Sequence, residues 1–196
     1  MKYTDDINIF KPNKDFIAEI DITSAFGRIY HYPQRMNGCL FILCLRGECD
    51  MTIHLSEHKI KENDIVTILP DTFVHVIRQS HDCRLFLAGF NKELLNGANF
   101  FNSTMNYLSA LIEMPVISLQ PRITELFQDY FMLLIKMGRV DEQPTKELVS
   151  TMLLTILHGV GSIHQNTETD KRSFNRGEEI VKRLVQYIIK HYINER

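Results

Sequence analysis

Histidine and cysteine have the richest chemistry in this sequence, and their spacing decides how much of it can be used. His75 stands inside the apolar run "TFVHVIRQ", five residues after Pro70. An imidazole there can ligate a metal, touch a ligand or hydrogen-bond within a core. A protein metal site needs several such side chains brought together. Cys44 and Cys49 are separated by four residues, which misses zinc-ribbon spacing, and no second pair follows. His54 and His58 would share one face of a helix, but their stretch reads as strand and turn. No spacing pairs a nucleophile with a base and an orienting group. The four cysteines, Cys39, Cys44, Cys49 and Cys83, lie in strand-like segments and read as buried thiols of a reducing compartment. "GRIYHY" (27–32) alternates Arg28, Tyr30 and Tyr32 on one face with Ile29 and His31 on the other. Together with His75 these three are the candidate ligand-binding residues. The alternative is two core rings, a solvated rim charge and a hydrogen-bonded structural histidine.

Two periodicities would have to position these groups. From Asp15 to about Phe90 the pattern is short and strand-like, with turns every eight to twelve residues. Phe16, Ala18, Ile20 and Ile22 alternate with Ile17, Glu19 and Asp21, while "CLFILCL" (39–45) is apolar throughout, as in a strand buried on both faces. "ECDMTIHL", "DIVTIL", "TFVHVIRQ" and "CRLFLAGF" follow, an arrangement expected of an antiparallel sandwich or barrel. After about residue 103 the period becomes helical. Ser103 or Thr104 is expected to cap a short helix through Glu113, and Pro121 to open a second that Gly138 ends. Pro144 opens a third, striped by Leu148, Val149, Met152, Leu153, Ile156, Leu157 and Val160 and followed by Gly161. "HQNTETDKRSFNRG" (164–177) has one apolar residue in fourteen, a linker composition. "EEIVKRLVQYIIKHYINER" then carries apolar pairs at helical spacing behind two glutamates, the pattern of an amphipathic helix that needs a partner.

Composition excludes some function classes. The chain has 196 residues, 44% hydrophobic and 23% charged, enough for a core without metals or disulfides. Its net charge of −2 gives no strong pull toward nucleic acid. Residues 166–196 carry seven Lys and Arg against five Asp and Glu, too slight a basic bias to argue otherwise. The N-terminal stretch lacks the apolar core of a signal peptide, and no apolar run reaches the ~20 residues of a membrane span. A cytoplasmic protein with no membrane association is expected.

"GCLFILCLRGECDMTIHLSEHKIKENDIVTILPDTFVHVI" (38–77) resembles the cupin-type sensor domain of AraC-family transcription regulators. The likeness lies in an apolar strand ending at Gly47, the turn Asn63-Asp64, a strand, Pro70 and nearby His75. "IVKRLVQYIIKHYINER" (180–196) resembles the segment that opens the DNA-binding part of that family, with its terminal His-Tyr. The resemblance implies an α+β fold: an antiparallel cupin-like, double-stranded β-helix barrel followed by a C-terminal α-helical bundle. It divides the chain into a sensor barrel at 1–100, a helical dimerisation region at 101–163, a linker at 164–177 and the first helix of a DNA-binding part at 178–196. It implies a homodimer, with Leu148, Met152 and Ile156 at the interface. It also implies a small-molecule effector such as a sugar, and contacts with DNA and RNA polymerase made only through a helix-turn-helix part that this sequence lacks.

Cupin enzymes hold a metal through two close histidines, a glutamate and a later histidine. Counted back from Gly47, the glutamate position falls at Leu40 and the histidine pair among Pro33–Met36, none of them a strong ligand. Asn63 and Asp71 stand where the pattern usually has glycine. No metal, no cofactor and no enzymatic activity are therefore expected. A metal-dependent cupin enzyme and a dimerisation module without a ligand are the alternatives to a sensor.

Overall fold

The computed structural model describes residues 15–21, 27–97, 108–140 and 144–169. The strands β1 (Phe16–Ile20), β3 (Gly38–Arg46), β6 (Asp64–Ile68), β8 (Arg84–Asn91) and β9 (Val116–Ser118) form one sheet, ordered β1-β8-β3-β6-β9. A second sheet is ordered β2-β7-β4-β5, from β2 (Gln34–Arg35), β4 (Glu48–Ile53), β5 (Ser56–Lys61) and β7 (Phe73–Gln79). Every pairing is antiparallel, and the chain passes repeatedly from one sheet to the other. This is the double-sheet jelly roll that cupins use.

β3 shows how the sequence builds this body. Its residues alternate between two apolar surroundings. Leu40, Ile42 and Cys44 enter the core between the sheets, while Cys39, Phe41 and Leu43 enter a second core on the outer face of the larger sheet. An apolar strand with no polar phase fits a place where both faces are covered. The second core is closed by α1 (Lys92–Gly97), α2 (Leu108–Glu113), α3 (Pro121–Gly138) and α4 (Lys146–Thr169). Asn91 Oδ1 accepts from the Leu94 amide at 2.7 Å and caps α1. The described helices thus lie on a sheet and share its core. The cluster runs across residue 100, joining Phe86 and Phe90 to Phe131, Leu134 and Leu153.

Several local expectations change. Gly27–Tyr30 is a turn of 3₁₀-helix, not a strand. Pro33 lacks an amide and restricts Tyr32, so pairing starts only at Gln34. Gly161 does not end α4, which continues to Thr169 and takes in the start of the expected linker. A single interior glycine costs a helix only about 1 kcal/mol. The segments 1–14, 98–107 and 170–196, with most of the expected linker and the expected final helix, lie outside the described residues.

The two positions lacking the usual glycine keep the backbone that glycine would adopt. Asn63 has φ of 71° and Asp71 φ of 66°, and Asn and Asp tolerate the left-handed region better than other side chains. Each amide is bonded, Asn63 N–H to Cys44 O and Asp71 N–H to Met36 O, both at 2.9 Å. Beside the first turn, buried Asp64 accepts from the Lys61 amide at 2.7 Å and from Ser118 Oγ at 2.6 Å. That carboxylate ties the β5–β6 turn to β9.

Candidate functional site

Side-chain parity decides where the expected site residues go. On β7, Val74 and Val76 fill the core between the sheets, so His75 points from the outer face of the smaller sheet, flanked by exposed Phe73 and Ile77. It is half-buried and does not reach the barrel interior. Tyr30 packs partly against the inner core and donates from its hydroxyl to Gln79 Oε1 at 2.6 Å. Burial, and then the nearby Cys49 and Cys83 thiols, push its phenol up to about 12. Tyr32 is 53% exposed. The Arg28 side chain lies outside the described residues. The structure therefore does not bring Tyr30, Tyr32 and His75 to one point.

The barrel interior is filled by hydrocarbon and sulfur. Ile29, Met36, Leu40, Ile42, Met51, Ile60, Val66, Val74, Val76 and Leu87 are all sealed there with Cys44 and Cys49. In the stretch where the cupin pattern would place ligands, Pro33–Met36 and Leu40, the buried residues are Gln34, Met36 and Leu40. Among the described residues no three His, Cys, Asp or Glu side chains are placed to hold a metal ion. His58 shares its register position with inward-facing Met51, and burial lowers its imidazole.

The expected interface residues also separate. Met152 and Ile156 are 6% and 1% exposed, packed within the helix–sheet core, whereas Leu148 is 48% exposed. The carbonyl of Met152 accepts from Tyr130 Oη at 2.8 Å, joining α4 to α3. Met152 and Ile156 therefore pack inside this chain's own core, and of the three expected interface residues Leu148 is the exposed one. A stripe that covers a sheet and one that covers a second copy have the same period.

A cleft of about 370 Å³ lies elsewhere, along β1. One wall is Asp15–Ile20, and the other is the end of α3 (Ile135, Met137, Gly138) with Arg139, Val140, Pro144 and Val149. Among the described residues β1 stands at the edge of its sheet, with β8 its only strand neighbour. Asp15 O accepts from the Asn91 amide at 3.0 Å, and the Asp21 amide donates to Leu85 O at 2.7 Å. Antiparallel pairs alternate, so the odd-numbered residues bond to β8. The amides and carbonyls of Phe16, Ala18 and Ile20 then face away from β8. The side chains around them are apolar, with Asp15, Glu19 and Arg139 as charged groups. Asp15 accepts from Asn91 Nδ2 at 3.3 Å and lies 4.0 Å from Lys146 Nζ. The arrangement suits a compact molecule with an apolar body and groups that bond to main chain. Sequence alternation marks β1 as a strand, but its place at an edge depends on long-range pairing that alternation does not encode.

No protein-family model matches this sequence, and no curated protein matches it. Solved structures do. Apo ToxT K231A from Vibrio cholerae aligns over 86% of this chain and 70% of its own, at 8% identity and a TM-score of 0.45. The AraC-like transcriptional activator CuxR aligns over 92% and 58%, at 13% identity and 0.43. The Cnp3 cupin domain of Schizosaccharomyces pombe aligns over 46% and 66%, at 12% identity and 0.31. Likeness at this level carries no argument about activity. The structures that this chain is similar to thus include an AraC-like transcriptional activator and a cupin domain.

Proposed function

We propose that this chain is the regulatory part of an AraC-type transcription regulator, and that its effector binds in the cleft between β1 and the end of α3. The sequence likeness of 38–77 and 180–196 supports the family. The single observation behind the site is that the barrel interior is packed with apolar side chains while a cleft of about 370 Å³ runs between β1 and the end of α3. The effector is a sugar or another compact metabolite. DNA and RNA polymerase are contacts of a helix-turn-helix part outside these 196 residues, and the segments 1–100 and 101–163 keep their proposed sensing and dimerising roles.

The test is a thermal-shift screen of sugars and small metabolites, run on the wild type and on Gly138→Leu. A Cβ at Gly138 would meet the Phe16 ring at 3.8 Å, an ordinary contact, so a longer side chain extends into the cleft without forcing the backbone. An effector raises the wild-type melt by an amount that grows with concentration. Gly138→Leu keeps the unliganded melt and loses the shift. A shift retained in Gly138→Leu but lost in Tyr30→Phe would move the site to the barrel end. The filled interior also favours a second reading, a dimerisation module with no ligand, and a melt that no compound moves would select it.

We also propose a homodimer, formed through the residues that α3 and α4 leave exposed rather than those they bury. Leu126 is 64% exposed, Leu133 lies two turns further along the same face of α3 and is 48% exposed, and Leu148 is exposed on α4. Leu126→Glu combined with Leu133→Glu is expected to sediment as a folded monomer at concentrations where the wild type is a dimer. An unchanged dimer would place the interface elsewhere.

A further inference from the structure

Three of the four cysteines meet at one end of the core between the sheets. Cys44 closes β3 and Cys49 opens β4, both within that core, and Cys83 packs against it just before β8. Cys39 is buried in the other core. Cys44 pairs with Leu85, and Cys83 lies two residues before Leu85 on the same face. Gly47 makes this approach possible. A Cβ there would stand 2.8 Å from Cys83 Cα and 2.9 Å from its nitrogen. The Cys44 thiol donates to Arg46 O at 3.5 Å and Gly47 O at 3.7 Å, so it lies at the same turn that Cys83 approaches through Gly47. Cys83 is partly open to solvent and Cys44 is sealed. An accessible thiol backed by a buried one is the arrangement of an attacking and a resolving cysteine.

We infer that Cys83 and Cys44 form a modification site that reacts with a hydroperoxide at Cys83 and closes into an intramolecular disulfide. The Cys83 thiolate attacks one oxygen of hydrogen peroxide, the O–O bond breaks, and hydroxide leaves, so that sulfur is oxidised to sulfenic acid and peroxide reduced. The Cys44 sulfur then attacks the Cys83 sulfur, the S–O bond breaks, and the departing hydroxide takes the Cys44 proton as water. The neighbouring Cys44 thiol holds the Cys83 thiol below its ordinary range, which favours the attacking thiolate. The nearby Cys83 thiol, with burial, holds Cys44 above its range, so Cys44 keeps its proton until the second step.

The bond would be a labile one. Residues diagonal to each other across an antiparallel pair have Cα atoms roughly 7–8 Å apart, beyond the ~4.4–6.8 Å usual for a disulfide. Closure therefore needs a small backbone shift, and the register break between Cys44 and Arg46 puts an already interrupted ladder at that point. A strained disulfide is readily reduced. This site is independent of the β1 cleft and of any effector.

The experiment treats the full chain with a small molar excess of hydrogen peroxide, then counts thiols and maps non-reduced peptides by mass. Expected are a fall from four titratable thiols to two, a single Cys44–Cys83 linked peptide, and full recovery with dithiothreitol. In Cys44→Ser, a dimedone adduct should accumulate on Cys83. In Cys83→Ser, peroxide should leave the remaining thiols unchanged. Four surviving thiols in the wild type, a link that uses Cys49, or sulfinic acid on Cys83 with no link would each overturn the proposal.

Discussion

A Gly47→Ala variant should unfold at markedly lower urea than the wild type, with a loss of about 3 kcal/mol. Two terms combine there. Gly47 has φ of 73°, a conformation that costs an L side chain roughly 1–2 kcal/mol. The added methyl also has nowhere to go. It would lie 2.5 Å from Ser80 Oγ, which can turn aside, and 2.8 Å from Cys83 Cα, which cannot without moving the chain. Ser80 is itself engaged, since the Glu48 amide donates to its Oγ at 3.0 Å and the Cys83 amide donates to its carbonyl at 3.1 Å. A shift there would loosen the start of β4 and the entry to β8 together. Denaturant melts followed by circular dichroism measure the loss. A midpoint within experimental error of the wild type would mean that the approach of Gly47 to Cys83 is not as described.

The second large effect is expected from Phe131→Ala, at about 4 kcal/mol. Phe131 is fully buried on α3, and its ring stacks on that of Phe86 from β8, with centroids 6.1 Å apart and planes at 15°. Beneath it, Phe90 contacts Phe41 edge-on and Phe16 in a stacked arrangement. Removing Phe131 opens a cavity between helix and sheet that neither side can fill by a rotamer change. Because the helices and the larger sheet share that core, the variant is predicted to melt in one transition, with far-ultraviolet and tyrosine signals coincident. Helical signal lost well before the tyrosine signal would instead divide the chain into two units near residue 100. By contrast, exposed ion pairs such as Arg35–Asp71 at 2.6 Å contribute at most about 1 kcal/mol each.

Much of the scaffold is legible in the residues. The unbroken apolar run Cys39–Leu45 implies a strand covered on both sides, and β3 is covered by one core on each face. Pro121 at the start and Gly138 at the end bound α3 as read. The candidate site was much less legible. The apolar run around His75 leaves open whether its imidazole lies inside the barrel or on the sheet's outer face. In a strand those neighbours include Val74 and Val76, whose burial turns the residue between them outward. "GRIYHY" is too short for alternation to tell strand from 3₁₀ turn, and Pro33 ends any pairing it might have begun.

What the amino-acid order determines by itself here is local and periodic. It specifies which stretches alternate by two and which by three or four, and where Gly47, Asn63 and Asp71 can turn the chain. What only the tertiary structure decides is adjacency. Met152 and Ile156 enter this chain's own core, β1 stands among the described strands at a sheet edge beside a cleft, and Cys83 comes close to the turn after Cys44 from almost forty residues away. The physical reason is that periodicity records which face of an element is apolar. Which surface covers that face is set by long-range pairing, through the lowest free energy of all the contacts taken together.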